Sequence, residues 1–115
     1  MNKVNDELRE VNDELRKTIM QKRIYIAGKV TGLPRIDTVL KFEKAEKELS
    51  QLGYAVYNPV KYIPSDADRN SAMRIAFKLL VHADEIALLP DWKKSEGARW
   101  EYMIAVLLKM PVVLL

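Results

Sequence analysis

The chain has 115 residues, 49% of them hydrophobic and 30% charged, with 19 basic side chains against 16 acidic ones and a net charge of +3. That is one domain of ordinary size with enough apolar residues for a core, and a charge so mild lacks the clustered basic stripe of a nucleic-acid binder. There is no cysteine and only one histidine, His82, which removes disulfides, thiolate chemistry and Cys-rich zinc sites and argues against a histidine metal site. No apolar run approaches the ~20 residues of a membrane span, and the charged N-terminus does not read as a signal peptide. The expectation is a cytoplasmic domain with no membrane contact, metal or cofactor.

Residues 1–21 form an extension distinct from the domain predicted over 22–115. Val4-Asn5-Asp6-Glu7-Leu8-Arg9-Glu10 is repeated as Val11-Asn12-Asp13-Glu14-Leu15-Arg16-Lys17. Val4, Leu8, Val11 and Leu15 recur at four, three and four residues, the seam of an amphipathic helix. A lone helix this short is marginal in water, so it must pack on its own domain or on a partner. A homo-oligomer is the expected assembly.

From Lys22 onward strands and helices alternate. Residues 23–27 read as a strand ending at Gly28. Residues 37–52 read as an amphipathic helix with Leu40, Ala45, Leu49 and Leu52 on its apolar side, stopped by Gly53. Residues 54–57 form a second strand, ended by Asn58-Pro59, and Pro64-Ser65-Asp66 reads as a loop. Asn70 or Ser71 caps a helix running to about His82. Residues 85–89 are a third strand, 97–109 a third helix and 112–115 a final strand opened by Pro111. This alternation predicts a parallel sheet with right-handed crossovers. Four strands in the order 2-1-3-4 make a small flavodoxin-like, Rossmannoid α/β fold with an N-terminal helical extension.

Ligands of such sheets bind beyond the carboxyl ends of the strands, at the switch point between strands 1 and 3. The loops there run over 28–37 and 90–97, and the second leads to Glu101. On the helix over 97–109, Ala98, Ala105 and Leu108 share one face, and Glu101 falls on the same stripe. A carboxylate on a buried stripe is costly unless something requires it there. The small residues Gly97 and Ala98, one turn earlier, are expected to leave open space above it.

The loop Gly28-Lys29-Val30-Thr31-Gly32-Leu33-Pro34-Arg35 carries two glycines that permit close backbone approach and two cations able to meet an anion. It is neither a P-loop nor a dinucleotide fingerprint. Tyr25 can be core or can reach the crevice with its hydroxyl. Ser95 reads as a helix N-cap and is compatible with phosphate at the same helix start. Asp91 and Trp92 end the third strand, where Trp92 can stack on a base or cover the sheet edge. His82 reads as a cation at a helix C-terminus.

Together, Arg23-Ile24-Tyr25-Ile26-Ala27-Gly28, Gly53-Tyr54 with Asn58-Pro59, Asp84 through Trp92, and Ser95-Glu96-Gly97-Ala98-Arg99-Trp100-Glu101 with Ala105 resemble the nucleoside 2-deoxyribosyltransferase-like superfamily. The similarity is greatest to its small DUF4406 branch, met in phages and bacteria, and it covers nearly everything after Lys22. The resemblance implies that Glu101 attacks the anomeric carbon of a 2-deoxynucleoside and that Tyr25 orients it. It also implies that Ser95 serves the 5′-phosphate, as in the nucleotide N-glycosidase branch. The substrate-binding set it suggests is Gly28, Lys29, Asp91, Trp92, Ser95 and Gly97, with a nucleoside or nucleotide as ligand. The superfamily's acid on the preceding helix falls near Ala76, and no acid stands between Met73 and Ala83.

Three readings follow. The leading one is an N-glycosyl-bond hydrolase or transferase acting on 2-deoxynucleosides or their monophosphates. The second, favoured by Ala76, is a non-catalytic binder of a nucleotide or nucleotide-derived signal. The third is a small interaction module working through its N-terminal helix.

Overall fold

A computed structural model describes residues 7–11 and 21–115. Residues 7–11 are helical, with Leu8 and Val11 exposed; Val4 and Leu15 of the predicted seam lie outside the described residues. The domain contains β1 (Arg23–Ala27), α1 (Arg35–Gln51), β2 (Ala55–Tyr57), α2 (Pro59–Tyr62), α3 (Arg69–Val81), β3 (Glu85–Leu88), a 3-10 turn (Trp92–Lys94), α4 (Glu96–Leu107) and β4 (Val112–Leu114). All strand pairs are parallel, and the order is β2-β1-β3-β4. This is the small flavodoxin-like sheet that the alternation predicts.

The period of two along β1 divides the core. Ile24 and Ile26 join Phe42, Ala45 and Leu49 of α1 on one side of the sheet. Tyr25 and Ala27 join Ala76 and Leu80 of α3 and Ala98 and Ala105 of α4 on the other. Such a sheet, covered on both faces, explains why β1 and β3 carry no exposed alternation after Arg23. At the amino ends of the strands the Arg23 amide donates to Asp84 Oδ2 at 2.8 Å, and the Arg23 guanidinium adds a contact at 3.3 Å. That pair sets β1 beside β3 at the end away from the predicted crevice.

Several local expectations are corrected. α1 buries Thr38, Phe42, Ala45 and Leu49, spaced four, three and four, whereas Leu40 and Leu52 are exposed. The polar Thr38 tolerates burial because its hydroxyl donates to the Pro34 carbonyl at 3.3 Å. A helix absent from the sequence reading, α2, follows β2 directly. The Asn58 side chain accepts from the Val60 amide at 3.1 Å, and Pro59 supplies the first helical residue. The cap of α3 is Asp68, whose carboxylate accepts from the Ser71 amide at 2.8 Å. It precedes the expected Asn70 or Ser71 because an ionised oxygen is the stronger acceptor for these amides.

α4 begins at Glu96, one residue early, and closes at Leu107. Leu108 is its C-cap and is exposed, so it leaves the buried stripe. Lys109 takes the left-handed conformation at φ 57°, and the Met110 amide returns to the Ala105 carbonyl at 2.9 Å.

The two faces of α1 are separable by mutation. Phe42→Ala should cost about 3–5 kcal/mol in urea unfolding, the range for truncating a buried aromatic. Leu40→Ala should stay within about 0.5 kcal/mol. Equal losses would contradict this packing.

Candidate active site

Glu101 sits on the inner face of α4, 5% exposed, opposite Tyr25 of β1, 1% exposed. The Tyr25 hydroxyl donates to Glu101 Oε2. Glu101 makes no ion pair with any described residue. Burial therefore governs its titration: loss of hydration raises its pKa to about 8, against a smaller lowering by the Tyr25 hydrogen bond. Tyr25 is also pushed well above its ordinary value, first by burial and then by the neighbouring carboxylate. The sequence left open whether Tyr25 was core or site. It is buried, and its hydroxyl is on the acid.

The space above the acid is not open. A Cβ on Gly97 would lie 3.2 Å from the Met73 sulfur of α3, and Ala98 is fully packed. Met73 thus fills the position one turn above Glu101. A thioether on an unbranched side chain is the core group that yields most readily to a ligand. Gly28 also differs from expectation, since a Cβ there would lie 2.4 Å from Leu89 Cδ1 and 2.9 Å from Leu89 Cβ. The close approach that requires this glycine is to the side chain that follows β3.

A lysine outside the sequence-derived set joins the two crevice loops. Lys41 Nζ of α1 donates to the Lys29 carbonyl and to Asp91 Oδ2, each at 2.6 Å. The Lys29 amide donates to Asp91 Oδ1 at 3.0 Å. Burial pushes the Asp91 carboxyl up, but the Lys29 amide and the Lys41 ammonium outweigh it and hold the carboxyl below its ordinary value. Asp91 is therefore occupied as a clasp between the ends of β1 and β3. No periodicity distinguishes Lys41 from the other lysines of α1; only the fold brings it to Asp91.

Ser95 caps α4, its Oγ accepting from the Ala98 amide at 3.1 Å. Capping uses an acceptor lone pair and leaves the O–H free to donate. Trp92 opens the 3-10 turn and packs on Tyr102, ring centroids 4.8 Å apart, so one part of its ring covers the core. Lys29 Nζ makes no ion pair with any described residue, while Arg35 turns to the Val60 carbonyl. His82 caps α3, its Nδ1 2.8 Å from the Lys78 carbonyl.

Two further features escaped the sequence reading. Glu85 is also buried, accepting from the Tyr54 hydroxyl at 3.2 Å with Lys22 Nζ at 4.0 Å, but it opens β3 and so lies at the end of the sheet away from the crevice. A groove of about 420 Å³ lined by Tyr57, Tyr62, Ile75, Lys78, Leu79 and His82 shares no residue with the predicted site.

A four-stranded doubly wound sheet with a buried acid on the helix after β3 defines a small Rossmann-like α/β domain. A family model described as a domain of unknown function, DUF4406, matches residues 22–114, and the chain belongs to that family. Among solved structures it is similar to the 2-deoxyribosyltransferase of the psychrotolerant bacterium Bacillus psychrosaccharolyticus. The TM-score is 0.62 and the identity 21%, over 80% of this chain and 70% of that one, a likeness of fold. No curated protein matches the chain. Among the described residues, no helix is long and apolar enough to cross a membrane.

The raised pKa of Glu101 has a sign that calorimetry can read. An unfolded glutamate loses its proton near 4.5, whereas folded Glu101 keeps it to about 8. Between those values the native chain holds the extra proton, so this residue lowers folding stability as pH rises. Glu101→Gln should remove that slope and stabilise the fold at pH 8 by roughly 3–5 kcal/mol, with little effect near pH 4.5. An unchanged pH profile would mean that Glu101 ionises normally.

Proposed function

We propose that this protein cleaves the N-glycosyl bond of 2-deoxynucleosides or their 5′-monophosphates, with Glu101 as nucleophile. The observation that carries the reading is the buried Glu101–Tyr25 pair. A carboxylate kept from water and from cations is a stronger nucleophile than a hydrated one, and the phenol holds one oxygen so that the other faces the substrate. The fold shared with a 2-deoxyribosyltransferase supports the substrate class.

In the first step Glu101 bonds to C1′ as the C1′–N bond breaks, and the electron pair leaves with the base, which takes its proton from water. In the second step a water oxygen, or a nitrogen of another base, attacks C1′ as the ester C1′–O bond breaks and returns the carboxylate, and the attacker's proton goes to the hydroxide left by the first step. The transition states carry cationic character on the sugar. A 2′-hydroxyl would destabilise that cation and crowd the carboxylate, so ribonucleosides should react more slowly. Ala76, 4% exposed and packed with Tyr25, leaves no acid on the inner face of α3 to protonate the departing base. A missing general acid costs a factor of about 10²–10⁴, so slow turnover is expected.

Release of free base, followed by chromatography across the common deoxynucleosides and monophosphates, is the deciding assay. Glu101→Ala should abolish it with circular dichroism unchanged. Because the attacking form is the carboxylate, kcat/KM should rise with pH to a plateau above about 8. The same Ala76 supports a second reading, a nucleotide binder without turnover. Calorimetric binding of a nucleotide by a wild-type protein that releases no base would establish that reading instead.

Ser95 supports a 5′-phosphate subsite, with its free O–H beside the unpaired amides at the start of α4. Ser95→Asp keeps an N-cap acceptor but adds a negative charge. It should raise KM for monophosphates at least tenfold, about 1.4 kcal/mol, and leave deoxynucleosides much less affected. Equal effects on both substrates would remove Ser95 from the phosphate end.

A further inference from the structure

α3 feeds the amino end of β3 and α4 leaves its carboxyl end, so the first turns of both helices lie at the crevice end of the sheet. They are held together there. Asp68 caps α3 on the Ser71 amide at 2.8 Å. The next residue, Arg69, reaches α4, its guanidinium 3.1 Å from Glu96 Oε2 and 5.1 Å from the centre of the Trp100 ring. Arg69, Met73, Ala76 and Leu80 recur at four, three and four residues, so Met73 shares this inward side of α3. Its backbone is thereby fixed beside α4.

The Met73 side chain lies on Gly97. A Cβ at Gly97 would meet the Met73 sulfur at 3.2 Å, the Met73 methyl at 3.5 Å and Ser95 Oγ at 3.9 Å. The thioether and the Ser95 hydroxyl therefore converge on one small volume, a helical turn from Glu101. Behind it the packing is tight, with Ala98 1% and Ala76 4% exposed, whereas Met73 is only half-buried. With C1′ at Glu101 and the 5′ end at Ser95, a sugar must cross the volume that the thioether fills.

We infer that Met73 is the movable wall of the sugar site: its thioether turns off Gly97 as a 2-deoxynucleoside or its monophosphate seats, and then packs against the sugar. The inference rests on the binding mode of the proposed function, but not on bond cleavage. Methionine suits the task because its unbranched chain rotates about three bonds and repacks at small cost. Only conformers turned away from Gly97 admit the ligand, so apparent affinity falls with their population. A side chain branched at Cβ is stiff in a helix and turns away less readily.

Leucine and isoleucine separate this role from simple filling. They have equal bulk, and a structural filler would tolerate them alike. Met73→Leu should bind deoxynucleoside monophosphates in calorimetry nearly as wild type does. Met73→Ile should bind them roughly tenfold more weakly, with KM raised and kcat little changed. In full-length protein labelled with carbon-13 at its five methionine methyls, the Met73 signal is identified by its loss in Met73→Leu. It should move in step with nucleotide occupancy, while that of the exposed Met103 stays in place. A Met73 signal unmoved at saturation, or equal affinities of the two variants, overturns the inference even where base is released. A Met73 signal that moves without any base release supports the inference and removes the glycosyl chemistry. A chain that binds neither deoxynucleosides nor their monophosphates overturns both.

Discussion

Glu101 is held between α4 and β1 with one hydrogen-bond donor, the Tyr25 hydroxyl, and no described cation beside it. A buried carboxylate in that state is costly, and the molecule meets the cost by keeping the proton to about pH 8. The surrounding order depends on this contact. α4 must present the acid at the middle of β1, so its inner face is reduced to Ala98 and Ala105. Those small residues let the helix lie close to the sheet. Ala76 does the same for α3, which closes the wall around the pair.

Above the pair, the crevice is clasped rather than open. Lys41 reaches from α1 to the carbonyl of Lys29 and the carboxylate of Asp91, tying the ends of β1 and β3 together. Both partners are three-quarters buried, where charge-assisted contacts exceed the small worth of exposed ion pairs. The clasp fixes the separation of the loops, while Met73 occupies the volume beside Gly97. The rim is thus rigid around an adaptable filler. It also explains why Asp91 and Gly97, both attractive as ligand groups in sequence, are engaged with the protein itself.

The edge of the sheet has the opposite character. Val112 and Leu114 of β4 are exposed, as are Leu8 and Val11 of the helical stretch over 7–11. The buried core is thus complete around β1 and β3 but unfinished at β4.

The fold class was legible in the sequence because hydrophobic periodicity and glycine or proline punctuation are local. Residues 23–27 and Gly53 show the pattern as clearly as any in the chain. Glu101 was conspicuous for the same reason: an acid at an inward helical position breaks the pattern. What the sequence could not supply was whatever depends on distance in three dimensions. Leu40 and Thr38 differ by two positions on α1, and only packing against Ile24 and Ile26 decides which side turns inward. Asn58 looked like a strand end because a cap's hydrogen bond to Val60 leaves no periodic signature. Lys41 and Met73 are ordinary on their helices and acquire meaning only when crossovers bring them to Asp91 and Gly97. The sequence by itself determined the order and type of the four strands and the three longer helices of the domain, and the presence of the buried acid Glu101. Tertiary structure alone decided which partners that acid and those loops meet, because contacts between residues far apart in the chain are set by how helices pack on the sheet.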